Sequence, residues 1–264
     1  MNRLACNLST IFTEVPLLER FEKAKKAGFS HVECQFPYAI STELIIKEMN
    51  TYNLKMALIN FPPGNWEAGE RGIAIFPDRV NEFKKSVELA IEYATSLEVT
   101  NIHCMAGILP SSLDESIARN VFIKNIEYAA EKLAQHHMNL LLEPINRMDM
   151  PNYFLSNIHE AVGIIKEIGL PNIKLQFDFY HIKRLQEDLF SSFEDNFTFI
   201  GHVQIADSPG RNEPGTGEIP YDQVFQLLER IGYNGLIGLE YTPKERSEDS
   251  FNWVSGLKKG GILL

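Results

Sequence analysis

Four oxygen-bearing side chains stand at the ends of four short apolar runs in the second half of the chain. LLLEP ends at Glu143, IKLQFD at Asp178, HVQIAD carries Gln204 near its end, and LIGLE ends at Glu240. A lone acid at a strand end commonly caps the helix that follows. Four such positions in succession do not fit that reading, because three carboxylates facing one another repel and raise each other's pKa. A divalent cation removes the conflict. Glu, Asp, Gln and Glu offer only oxygen, which favours Mg²⁺ or Mn²⁺ over a thiolate-seeking metal.

Other polar residues cluster near the same strand ends. His181 follows Asp178 in FDFYH, where the chain leaves the strand, and is expected to touch substrate or support the metal ligands. His103, in NIHCMAG, precedes a glycine-containing turn and is a second candidate contact. Arg211 lies in the Gly/Pro-rich stretch ADSPGRNEPGTGEI, and Arg147 and Asp149 follow Glu143 in EPINRMDMP. The longest irregular stretch, Phe61 to Arg79, carries Trp66 and Arg71 among Gly64, Gly69 and Gly72. Long loops of this kind are usually lids or binding loops. Arg71 and Arg211 are both candidates for pairing with a substrate carboxylate, and Trp66 for shielding the site from water.

The elements that must position these residues alternate along the whole chain. Strands are expected at Leu4–Asn7, His31–Gln35, Met56–Asn60, Asn101–Met105, Leu140–Glu143, Ile173–Asp178, Ile200–Ile205 and Leu236–Glu240. Helical periodicity marks the segment from Pro16 to Gly28, then Asp78–Leu97, Asp114–Gln135, Asn157–Ile168 and Tyr221–Ile231. It is weaker at Ser41–Asn50, Lys183–Phe190 and Ser250–Leu257. Eight strand–helix units in 264 residues match a (β/α)8 TIM barrel, α/β in class, as one domain over residues 1–264. An open doubly wound sheet is the alternative, but no GxGxxG follows the first strand. In a barrel, Glu143, Asp178, Gln204 and Glu240 come from the fifth to eighth strands and share the C-terminal rim, where barrel active sites sit.

Composition narrows the function classes. With 44% hydrophobic residues, disorder is excluded, and a net charge of -10 argues against nucleic acid or an anionic membrane surface as partner. No apolar run approaches the length of a membrane span, and the N-terminus lacks a signal-peptide pattern. Cys6, Cys34 and Cys104 show no CxxC spacing and are expected to be buried free thiols in a reducing, cytoplasmic setting. Outer barrel helices can pack on copies of themselves, so homo-oligomers remain open.

CNLSTIFTEVPLLERFEKAKKAGF, GNWEAGERGIA, EPINRMDMPNYFL and HVQIADSPGRNEPGTGEI together resemble the hydroxypyruvate isomerase family. That family lies within the xylose-isomerase-like barrels and includes the 2-oxo-tetronate isomerases. The likeness covers nearly the whole chain; Asn152 departs from a glycine common in relatives. The resemblance implies a divalent metal held by Glu143, Asp178, Gln204 and Glu240, with Glu143 and Glu240 as proton donor and acceptor. Related keto-sugar epimerases usually carry histidine where this chain has Gln204, which favours the isomerase branch. The implied activity is an aldose–ketose type isomerisation of a small 2-oxo-3-hydroxy acid through a cis-enediolate, hydroxypyruvate to tartronate semialdehyde first. Alternatives are 2-oxo-tetronate isomerisation, ketose 3-epimerisation, a non-catalytic sugar-acid-binding barrel and an abasic-site nuclease. The nuclease reading lacks histidines at Asn60 and Gln204.

Overall fold

A computed structural model describes residues 3–259. Eight parallel strands close into a barrel in sequence order, the first pairing with the last. They are β1 Leu4–Asn7, β2 His31–Cys34, β3 Lys55–Asn60, β4 Asn101–His103, β5 Asn139–Leu142, β6 Ile173–Asp178, β7 Ile200–Ile205 and β8 Ile237–Leu239. The expected strands are all present. Several are shorter by a residue or two at the rim, because the chain there turns toward the site instead of continuing the ladder.

Helices α1 Leu17–Lys26, α2 Thr42–Tyr52, α3 Val80–Ser96, α4 Glu115–Ala134 and α5 Ile158–Ile168 surround the first half. Local chemistry sets their ends. Asp114 accepts the Ser116 and Ile117 N–H groups at the start of α4, and Asn157 accepts from Glu160 at the start of α5. The weak Lys183–Phe190 expectation is corrected to two helices, α6 Phe179–Arg184 and α7 Leu189–Asn196. Asp178 accepts the Tyr180 N–H and so starts a helix directly at the strand end, while Asp188 starts the next by accepting from Ser191. Helix α8 is Tyr221–Ile231, and the expected C-terminal helix is a 3-10 turn, Ser247–Phe251, followed by α9 Trp253–Lys259.

The apolar core lies between barrel and helices. Phe177, Phe179 and Phe193 pack there with centroids 4.9 to 5.5 Å apart, each fully buried. Cys6, Cys34 and Cys104 are buried and free, and burial pushes the Cys34 thiol up to about 11. Among the described residues, no helix is long and apolar enough to cross a membrane. The loop from Phe61 is anchored at its far end. Gly72 (φ 103°) presses on β4's exit, where a Cβ would lie 2.1 Å from the Met105 carbonyl oxygen, and Ile73, Ala74 and Ile75 are buried.

Candidate active site

The strand ends deliver the acids to one rim. Glu143 directly follows β5, Asp178 closes β6, Gln204 lies next to last in β7, and Glu240 directly follows β8. All four are buried. Asp178 and Gln204 are register partners, so they leave the barrel wall side by side.

Glu143, Asp178 and His181 come together, each offering a ligand atom within 4.8 Å of the others. His181 Nε2 lies 4.0 Å from Glu143 Oε1 and 3.8 Å from Asp178 Oδ2. His103 Nε2 lies 3.6 Å from the other Glu143 oxygen. None of these separations is a hydrogen bond. Glu143 Oε1, Asp178 Oδ2 and His103 Nε2 are buried and have no hydrogen-bond partner among the described residues.

Burial and mutual repulsion make this an uneasy cluster. Burial, reinforced by Glu240 and Asp178, holds the Glu143 carboxyl well above its ordinary range. Burial, opposed by Arg211 and reinforced by Glu240, pushes Asp178 up to about 7. Glu240 is also raised, mainly by burial, with Arg211 opposing. Burial and the neighbouring His202 push His103 down to about 3, and burial with Arg211 and His103 drives His181 well below its ordinary value. Two neutral imidazoles therefore face acids whose charge nothing nearby fully offsets. The bare oxygens and the all-oxygen donors fit a hard divalent cation.

His181 is better suited to touch a substrate than to ligate. Asn146 Oδ1 accepts the Met148 and Asp149 N–H groups at 3.1 and 2.9 Å, which turns its Nδ2 toward His181 Nδ1 at 2.7 Å. Nδ1 is thus an acceptor, and the ring proton sits on Nε2, facing the acids. Sequence reading missed Asn146 in this role; its signal is the short polar run INRMD directly after Glu143.

Arg211 reaches in from the loop after β7. Its guanidinium lies 2.7 Å from Glu240 Oε2 and 3.8 Å from Asp178 Oδ2, and the two carboxylates hold it firmly charged against the effect of burial. Gln35 donates to the other Glu240 oxygen. Asp207 organises the loop: Oδ1 accepts from Ser208 and Ile219 N–H at 2.9 and 3.0 Å, Oδ2 from Gly215 and Gly217 at 2.8 and 2.9 Å.

Above the acids opens a cleft of about 450 Å³ whose lining includes Arg211, Glu240, Gln35, Trp66 and Arg71. Trp66 is exposed, packs on Phe36 at 5.2 Å, and carries the Arg71 guanidinium 3.6 Å over its ring. The structure thus brings Trp66, Arg71, Arg211 and Glu240 to one cleft, and His103 and His181 to Glu143. Gln204 faces a different neighbour: its amide is bonded to Glu33 and Gln176.

Comparison with known proteins agrees with this fold. The sequence profile of the xylose isomerase-like TIM barrel family matches residues 21–257. The chain is 40% identical over 254 residues to the hydroxypyruvate isomerase of Escherichia coli K12, covering 96% of this chain and 98% of that one. It is 38% identical to the 2-oxo-tetronate isomerase of Pectobacterium atrosepticum, covering 96% and 97%. A crystal structure from Brucella melitensis, described as an AP endonuclease of family 2, superposes with a TM-score of 0.94 at 43% identity, covering 97% and 99%.

Proposed function

Because the chain belongs to the hydroxypyruvate isomerase family of xylose isomerase-like TIM barrels, we propose that its rim acids carry out a metal-dependent isomerisation of a small 2-oxo-3-hydroxy acid, hydroxypyruvate first. Membership itself makes the chain an enzyme, an isomerase of small keto acids. The observation supporting the finer reading is the pair of bare buried oxygens, Glu143 Oε1 and Asp178 Oδ2, on adjoining strand ends near a cleft that holds Glu240 and Arg211.

Glu143, Asp178, Gln204 and Glu240 would hold Mg²⁺ or Mn²⁺, which supplies a Lewis acid for the carbonyl and adjacent hydroxyl oxygens. The remaining steps belong to side chains. One of Glu143 and Glu240 takes a proton from C3, leaving a cis-enediolate, and the other returns a proton at C2. The C3 hydroxyl loses its proton as the C2 oxygen gains one, so the carbonyl moves by one carbon to give tartronate semialdehyde. His181 donates its Nε2 proton to a substrate oxygen, and His103 packs beside Glu143. Arg211 or Arg71 pairs with the substrate carboxylate, and Trp66 closes the cleft against water. We take the chain to act as one barrel domain, residues 1–264, in the cytoplasm.

The test is turnover of hydroxypyruvate, 2-oxo-tetronate and a ketohexose, with and without chelator. Conversion of an oxo-acid that is lost with chelator and restored by Mg²⁺ or Mn²⁺ is expected. Chelator-resistant turnover removes the metal, and conversion of the ketohexose alone moves the chain to the sugar epimerases. The description of the Brucella structure raises an abasic-DNA nuclease as a second reading. A net charge of -10, with Asn60 and Gln204 at the ends of β3 and β7, weighs against it.

A further inference from the structure

A second polar cluster lies inside the barrel, centred on Glu33 of β2, which is fully buried. Three donors converge on its carboxylate. His202 Nε2 is 2.6 Å from Oε1, while Gln204 Nε2 and Asn7 Nδ2 lie 2.9 and 3.2 Å from Oε2. Space for the carboxylate exists because position 238 is glycine: a Cβ there would sit 2.2 Å from Glu33 Oε1.

We propose that Glu33 is a positioning residue that sets which end of the Gln204 amide faces the rim. An amide's two ends have nearly the same shape, but only its oxygen can hold a divalent cation. A carboxylate receiving three donors offers only acceptors, so the amide must turn its NH₂ toward Glu33 and its carbonyl oxygen away. Gln176 Nε2 donates to that oxygen at 2.7 Å, in agreement, and one lone pair remains. Gln176 is the weaker constraint, because its own Oε1 has no partner among the described residues. Glu33 is itself pinned from the opposite side by His202. The side chain of Gln204 is thereby oriented before any ion arrives.

The inference rests on the reading that Gln204 supplies a ligand oxygen, and the experiment separates the two. Mn²⁺ affinity of the metal-free protein is measured by calorimetry, alongside its melting temperature, for wild type and four variants. Glu33→Gln should weaken Mn²⁺ binding by about 10–100-fold, the range found when an outer partner of a ligand is lost, and Gln204→Ala, which removes the ligand itself, by at least as much. Gln204→Glu alone sets two buried carboxylates against each other and should lower the melting temperature. The double variant Glu33→Gln with Gln204→Glu reverses the polarity of the pair. The amide at 33 then accepts from His202 through its oxygen and donates to the carboxylate at 204, so both melting temperature and Mn²⁺ affinity should recover. If Gln204→Ala binds Mn²⁺ like wild type, the ligand reading fails. If Gln204→Ala weakens binding and Glu33→Gln does not, the ligand reading stands and the role of Glu33 is overturned. If Glu33→Gln does not fold, the double variant decides: a folded double variant without restored affinity also overturns it.

Discussion

The buried acids of this barrel fall into two kinds, those whose oxygens are fully partnered and those that keep one bare. Glu33 takes three side-chain donors, and Asp207 takes four backbone N–H groups. Glu143 and Asp178 are as deeply buried, yet each keeps an oxygen with no donor among the described residues. Burial is common to both kinds, so it does not mark the site. Missing donors mark it at Glu143 and Asp178, whereas Glu240, partnered on both oxygens by Gln35 and Arg211, is marked by its place at a strand end. A satisfied buried acid holds structure together, whereas a bare one costs stability and persists where something else is to fill it.

The sharpest way to break this contrast is to remove a satisfied acid. Asp207→Ala strands four N–H groups and should lower unfolding free energy by about 3 kcal/mol or more in a denaturant titration; a loss within experimental scatter would place Asp207 among the bare acids. On the rim the opposite balance is expected. Glu143→Gln should cut turnover by about 10²-fold or more, and Glu240→Gln likewise, with metal content measured beside rate. The melting temperature of metal-free Glu143→Gln should stay level or rise, since one of three repelling carboxylates is gone. A clear fall would assign Glu143 to the structural kind. Gly238→Ala presses on Glu33 and should cost about 1–3 kcal/mol. A neutral result there would show that Glu33 has room to move.

The smallest expected effect lies at the cleft mouth. Arg71→Ala should raise KM for an oxo-acid by about 10-fold, the scale of one lost charge-assisted hydrogen bond, while leaving an uncharged sugar unaffected. Equal effects on both would assign the carboxylate to Arg211. Trp66 fluorescence should respond to substrate in the wild-type protein if the Trp66–Arg71 pair meets it.

The rim was legible in the sequence because strand ends are marked twice, by an apolar run and by the polar residue that interrupts it. Ile173–Asp178 and Ile200–Ile205 have the expected bounds for that reason. The interior cluster carried a signal too. Gln176 and His202 stand two residues before Asp178 and Gln204, on the same side of their strands and one layer down, and Glu33 interrupts HVEC. A polar residue inside a strand buried on both faces needs a partner. What the sequence does not hold is which partners meet, because Glu33 and His202 are far apart in the chain and adjacent only after closure. The early start of α6 was missed because Asp178 serves two purposes: one oxygen starts a helix and the other remains bare.

The Asp207 knot bears on how such a barrel diversifies. Four residues of one loop hang on a single carboxylate, and Asn212 and Arg211 are further bonded to the chain after β8 at Thr242. An insertion between Asp207 and Ile219 breaks that lacing and moves Arg211 away from Glu240. The tip from Asn65 to Gly69 is exposed, and among the described residues its hydrogen bonds stay within its own loop, so extra residues fit there without disturbing the acids. The Trp66 side of the cleft can therefore be lengthened while the Arg211 side stays unaltered.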